Sequence, residues 1–144
     1  MIEQDTIKLL RECDAGVKMG IASIDDVIDY VSAQNLKQSL NKCKDKHEEL
    51  GKRIEQLLDK YHDDGKDPNP MAKGMSWMKT NMMLVMNESD ETIADLMTEG
   101  CNMGVKSLNK YLNKYEAADE QAKNIAKDLI RIEDDLVKEI RCYL

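Results

Sequence analysis

Leu36-Lys37-Gln38-Ser39-Leu40-Asn41-Lys42-Cys43-Lys44-Asp45-Lys46-His47-Glu48-Glu49-Leu50-Gly51-Lys52-Arg53-Ile54-Glu55-Gln56-Leu57-Leu58-Asp59-Lys60-Tyr61 is the stretch that decides the fold. Leu36, Leu40, Cys43, His47, Leu50, Ile54, Leu57 and Tyr61 recur at steps of three and four, while charged side chains fill the positions between them. That spacing lines one face of a helix, and such a face is stable only when packed on other helices. Upstream, Ile7, Leu10, Val17, Ile21, Ile24, Ile28 and Val31 repeat the pattern, with Asp14 completing the series. Ala33-Gln34-Asn35 leaves room for only a tight turn, so the first two helices are expected to form an antiparallel hairpin.

Beyond Tyr61 the segment from Asp63 to Pro70 stops the second helix. Residues 70–87 read as a short crossover helix with Met75, Met78, Met82 and Val85 on one face. Ser89-Asp90-Glu91 supplies an N-cap and first-turn acids for a further helix through Ile93, Met97, Leu108 and Tyr111 or Leu112. After a turn at Ala117-Ala118-Asp119, a last helix carries Ala122, Ala126, Leu129, Glu133, Leu136, Ile140 and Tyr143. Each long helix is expected to hold about 26 to 30 residues, or ~40 Å. The reading is an all-α chain, a four-helix bundle of two antiparallel hairpins joined by a crossover helix, with residues 1–144 as one domain.

Composition agrees. The 144 residues include no Phe, one Trp and two Pro, and Leu, Ile, Met, Ala, Glu, Asp and Lys dominate. The net charge of −7 argues against nucleic acid and anionic membrane surfaces as partners. No apolar run approaches the ~18 residues of a membrane span, and the N-terminus lacks a signal peptide's apolar region, so a cytoplasmic location is expected. Four cysteines at 13, 43, 101 and 142 have no CxxC spacing and read as buried apolar residues or free thiols in a reducing compartment.

Two segment matches suggest an internal repeat. Cys13-Asp14-Ala15-Gly16-Val17-Lys18 resembles Cys101-Asn102-Met103-Gly104-Val105-Lys106, 88 residues on. His47 to Ile54 resembles Glu133 to Ile140, 86 residues on, which makes His47 and Glu133 equivalents about a pseudo-two-fold axis.

The order of the Cys13–Gly20 segment, the His47 region, Gly65-Lys66-Asp67-Pro68, Trp77, Ser89-Asp90-Glu91 and Glu99-Gly100-Cys101 resembles the ferritin-like superfamily. More closely, the chain is similar to bacterial ferritin-like four-helix-bundle proteins of unknown function. Metal-binding members carry a Glu on one helix of each hairpin and Glu-x-x-His on the other. Here Lys44 stands where the Glu before His47 would be, and Leu136 stands where the His after Glu133 would be. The inward positions at the matching level of the other two helices are Val17 and Val105, beside Gly16 and Gly104. The resemblance therefore implies the fold together with a damaged ligand set.

The plainest reading of His47 and Glu133 is a buried, hydrogen-bonded pair that fixes helix register, because an unpartnered buried charge is costly. The alternative is a reduced site for iron or another transition metal, using His47 and Glu133 with Glu99, Asp14 or Cys101. Asp14 is the weakest of these candidates. Its height is level with about residue 53, so it is expected to meet Lys52 or Arg53 or to lie at the bundle's flank. The methionines 71, 75, 78, 82, 83 and 86 read as packing for the crossover, with Met83 or Met86 left to cover a homodimer contact. Gly16, Gly20, Gly100 and Gly104 mark close helix approach, and His62 reads as solvated. No nucleophile–base pair or phosphate loop is present. The functional expectation is a non-enzymatic structural or interaction protein without a cofactor; the alternative is a metal-binding or redox protein.

Overall fold

The computed structural model describes residues 1–68 and 89–144, and no strand occurs among them. Four long helices follow in order: α1 (Ile2–Val27), α2 (Gln34–Asp59), α3 (Asp90–Lys114) and α4 (Glu120–Ile140). Short 3₁₀ turns at Ile28–Tyr30 and Arg141–Tyr143 extend α1 and α4. None of the helices among the described residues is long and apolar enough to cross a membrane. The expected crossover helix, with Trp77, the methionine cluster and the homodimer contact assigned to it, lies outside the described residues.

Packing follows the seams. Every apolar residue of the α2 seam from Leu36 to Leu57 is buried, as is every α4 seam residue from Ala122 to Ile140. Leu36, Leu40, Ile54 and Leu129 are wholly enclosed, and each such side chain stabilises the fold by roughly 1.5–3 kcal/mol. One apolar core joins Leu9, Cys13 and Val17 of α1 to Leu50 and Ile54 of α2, Leu108 of α3 and Ala126 and Leu129 of α4. A second joins Ile24 and Val27 to Leu36, Leu40 and Cys43, to Ile93, Met97 and Cys101, and to Leu136 and Ile140. The N-terminal half of α1 thus lies beside the C-terminal halves of α2 and α3. So α1 and α4 run one way and α2 and α3 the other; α2 ends beside the first core and α3 begins beside the second.

Polar contacts at the ends set the turns. Ser89 caps α3 as its sequence indicates, its hydroxyl accepting the Thr92 N–H at 3.2 Å. Asp119 caps α4 through the Ala122 N–H at 2.8 Å. The α1–α2 turn falls earlier than expected: α1 yields to the 3₁₀ turn at Ile28, and α2 already starts at Gln34. Ala33 has no capping side chain. Instead Asp90, at the start of α3, accepts the Ser32 and Ala33 N–H groups at 2.8 and 3.0 Å, placing a carboxylate at the positive end of α2. α3 and α4 have 25 and 21 residues, shorter than expected, and α4 tightens into its 3₁₀ turn after Ile140. At the far end of α2, the His62 N–H reaches Asp59 O and the Asp63 N–H reaches Leu58 O, both at 3.1 Å. This is a Schellman closure with His62 at φ 56° in the position glycine usually takes.

Candidate functional site

Between the two cores the helices meet at a polar pair. His47 of α2 is 2% exposed and Glu133 of α4 is 7% exposed. Within α2, His47 Nδ1 lies 2.8 Å from the carbonyl oxygen of Cys43. A carbonyl can only accept, so Nδ1 carries a proton, and the ring is held with Nε2 aimed at α4. The Cys43 sulfur lies 3.5 Å from the same nitrogen.

His47 Nε2 stands 3.9 Å from Glu133 Oε1, a distance for Coulomb attraction and not for a hydrogen bond. The sequence places these residues together correctly, but the hydrogen bond expected between them is absent. Among the described residues, Nε2 of His47 and Oε2 of Glu133 have no hydrogen-bond partner.

Glycines explain the gap. A Cβ at Gly20 of α1 would stand 2.6 Å from His47 Nε2, and a Cβ at Gly104 of α3 would collide with Glu133 Oε2. Each polar side chain is therefore seated on the bare backbone of its hairpin partner. Val17 does not line this level; it belongs to the first core and faces Gly51, while Gly16 faces Leu129. The contacts also amend the repeat. Gly104 stands to Glu133 as Gly20 stands to His47, and these glycines are 84 residues apart. The Cys13–Cys101 match, at 88, is thus one helical turn out of step with the packing.

Burial works against a charge on His47, but the Cys43 contacts and Glu133 outweigh it and hold the imidazole above its ordinary value. Burial raises Glu133 as well, and His47 only partly offsets this. The causes differ, since His47 is raised by its neighbours against burial and Glu133 by burial against its neighbour, but in both cases the folded centre retains protons that the unfolded chain would release.

The other candidate ligands are dispersed. Cys101 is buried near the pair, where burial and the charge of Glu133 raise its pKa and keep it a thiol. Glu99 is exposed on the outer side of α3. Asp14 is 3% exposed, but it lies six residues before Gly20, about 9 Å along α1. It does not meet Lys52 or Arg53; Arg53 pairs with Asp128 at 3.4 Å. Asp14 instead pairs with Lys18 at 2.9 Å and accepts the Lys66 N–H at 3.0 Å. Lys44 points outward to Asp25, 2.6 Å away, and Leu136 packs in the second core.

Among the described residues no group of three or more His, Cys, Asp or Glu side chains is arranged to hold a metal ion. The described residues do not form a ferritin-type cage. The places on α1 and α3 that face His47 and Glu133 are glycines, and the space above them is filled by the His47 and Glu133 side chains. Sequence reasoning named the pair but missed Gly20 and Cys43 as its neighbours. The signal for Gly20 was present: a glycine in a helix interior costs about 0.5–1 kcal/mol and implies a close approach. Compared with protein-family models, curated proteins and solved structures, the chain matches none.

Proposed function

We propose that this protein is a non-enzymatic, ferritin-like four-helix bundle, a cytoplasmic structural or interaction protein whose central pair is the remnant of a metal site. The observation that carries this reading is the glycine seat beneath each member of the pair. His47 keys α2 to α1, Glu133 keys α4 to α3, and their mutual attraction keys one hairpin to the other. A polar contact buried among apolar cores penalises every axial slip that would separate it, the kind of specificity buried polar groups supply. The opposite senses of α1 with α3, and of α2 with α4, support the ferritin-like arrangement of hairpins. Metal analysis of protein purified without chelator tests the reading, with only substoichiometric transition metal expected. A stoichiometric ion at about 2.0–2.2 Å from a His47 nitrogen and a Glu133 oxygen would overturn it.

One observation favours a second reading, a metal-binding or redox protein with a reduced site. The unpartnered Nε2 and Oε2 are both ligand atoms, and the thiols of Cys43 and Cys101 lie nearby. Iron or another transition metal bound there would raise the melting temperature by mass action, and His47→Ala would abolish that rise. A homodimer belongs to the first reading and rests on the crossover methionines, which lie outside the described residues. Light scattering that returns 16.5 kDa at high concentration would count against it.

A further inference from the structure

The segment 62–68, which leaves α2, has no buried side chain, yet it lies against α1 on a defined path. Polar groups hold it there. The Lys66 N–H donates to Asp14 Oδ2 at 3.0 Å. The Lys66 ammonium reaches Glu12 at 2.6 Å, Lys18 reaches Asp67 at 3.2 Å, and Arg11 stands 3.7 Å from Asp63. Gly65, at φ 85°, turns the chain so closely over Asp14 that a Cβ would strike the carboxylate.

Asp14 differs from the other members of this set. Its side chain is 4% exposed, whereas Lys18, Lys66 and Asp67 are all well exposed. A buried carboxylate needs donors, and it finds one in its own helix, Lys18, and one in the segment's backbone. The remaining ties are partly solvated ion pairs, which salt screens.

We propose that residues 62–68 form an electrostatic strap, latched on the buried Asp14 carboxylate, which opens and closes while both apolar cores stay folded. The Lys66 amide is the direct reporter, because its protection depends on Asp14 and not on a helix carbonyl. Hydrogen exchange of the full chain, followed residue by residue by NMR at constant pH, tests this. The Lys66 amide should exchange at least about 100-fold faster than the core amides of Leu50 and Leu129, as expected for sub-global opening. Raising NaCl from about 0.05 to about 1 M should speed Lys66 a further several-fold and leave Leu50 and Leu129 unchanged. Asp14→Ala should remove most of the remaining Lys66 protection. Gly65→Ala, which strains the turn and meets the carboxylate, should do the same should Asp14→Ala fail to fold. Exchange of Lys66 at the rate of the core amides would overturn the proposal, as would indifference of Lys66 to salt and to whichever variant folds.

Discussion

Replacing Glu133 by Leu leaves His47 facing an apolar wall, with its Nδ1–H still bonded to the Cys43 carbonyl. Nε2 has no hydrogen-bond partner among the described residues in the wild type either, and the imidazole can shed its charge at neutral pH, so the loss is that of the Coulomb attraction to Glu133, about 1–3 kcal/mol. Replacing His47 by Leu is worse. Glu133, 7% exposed and seated on Gly104, keeps no partner, and stranding a buried carboxylate costs about 3–5 kcal/mol. The double substitution removes both polar groups and joins the two apolar cores, so it should lie within about 1–2 kcal/mol of wild type. Urea unfolding at pH 7, followed by far-ultraviolet circular dichroism, measures all four proteins. A double variant that loses the sum of the single losses would refute the pairing. The cycle also has a pH signature. His47 is raised above its ordinary 6.5, so its contribution is complete below that pH and is lost as pH rises through the folded value. Glu133 is raised above 4.5, so its contribution likewise falls as pH rises beyond 4.5. The wild type should therefore lose ground to the double variant from weakly acidic to alkaline pH, the reverse of a salt bridge that fails in acid.

Gly20→Ala and Gly104→Ala should each destabilise by about 1–3 kcal/mol, because the new methyl overpacks the seat of a fixed polar group. Gly100→Ala, whose Cβ would meet nothing within 4 Å among the described residues, should stabilise by about 0.5–1 kcal/mol; equal effects at all three in thermal melts would defeat the argument. His62→Gly should raise stability by about 0.5–1 kcal/mol, since glycine occupies the positive-φ closing position without strain, and urea midpoints will show it. In the folded protein at pH 8, a thiol reagent should rapidly modify only Cys142. Cys13 is pushed up to about 12 by burial and by Glu12 and Asp14, Cys101 is raised too, and Cys43 is buried. Peptide mapping that finds a buried cysteine labelled as fast as Cys142 would contradict that burial.

Much of the helical face pattern is legible without coordinates. The α2 and α4 seams read correctly because a 3.6-residue repeat in a long amphipathic segment has only one face to bury. The α1 seam reads less well: of the expected series Leu10, Asp14, Val17 and Ile24 are buried, Ile7, Ile21, Ile28 and Val31 are only partly so, and Leu9, Cys13 and Val27 are buried instead, which shifts the inward stripe by about one position. The Asp90 contact with the Ser32 and Ala33 amides was not legible. It joins residues far apart in the chain, and local capping rules see only neighbours.

The sequence by itself determined the helical class, the buried faces of α2 and α4, the Ser89 cap, and the burial of His47 with Glu133 between apolar neighbours. Tertiary structure decided height. Periodicity specifies which way a side chain points but repeats every turn, so it cannot distinguish Gly16 from Gly20 as the seat of His47, nor tell an offset of 88 from one of 84. The relative heights of helices depend on where turns begin and on how side chains interlock across the cores, and a displacement of about 5.4 Å, one turn, leaves every apolar face still inward. Only the packed molecule showed that Lys44 turns outward to Asp25, that Asp14 is claimed by the backbone of Lys66, and that Gly20 and Gly104 are the residues on which His47 and Glu133 are seated.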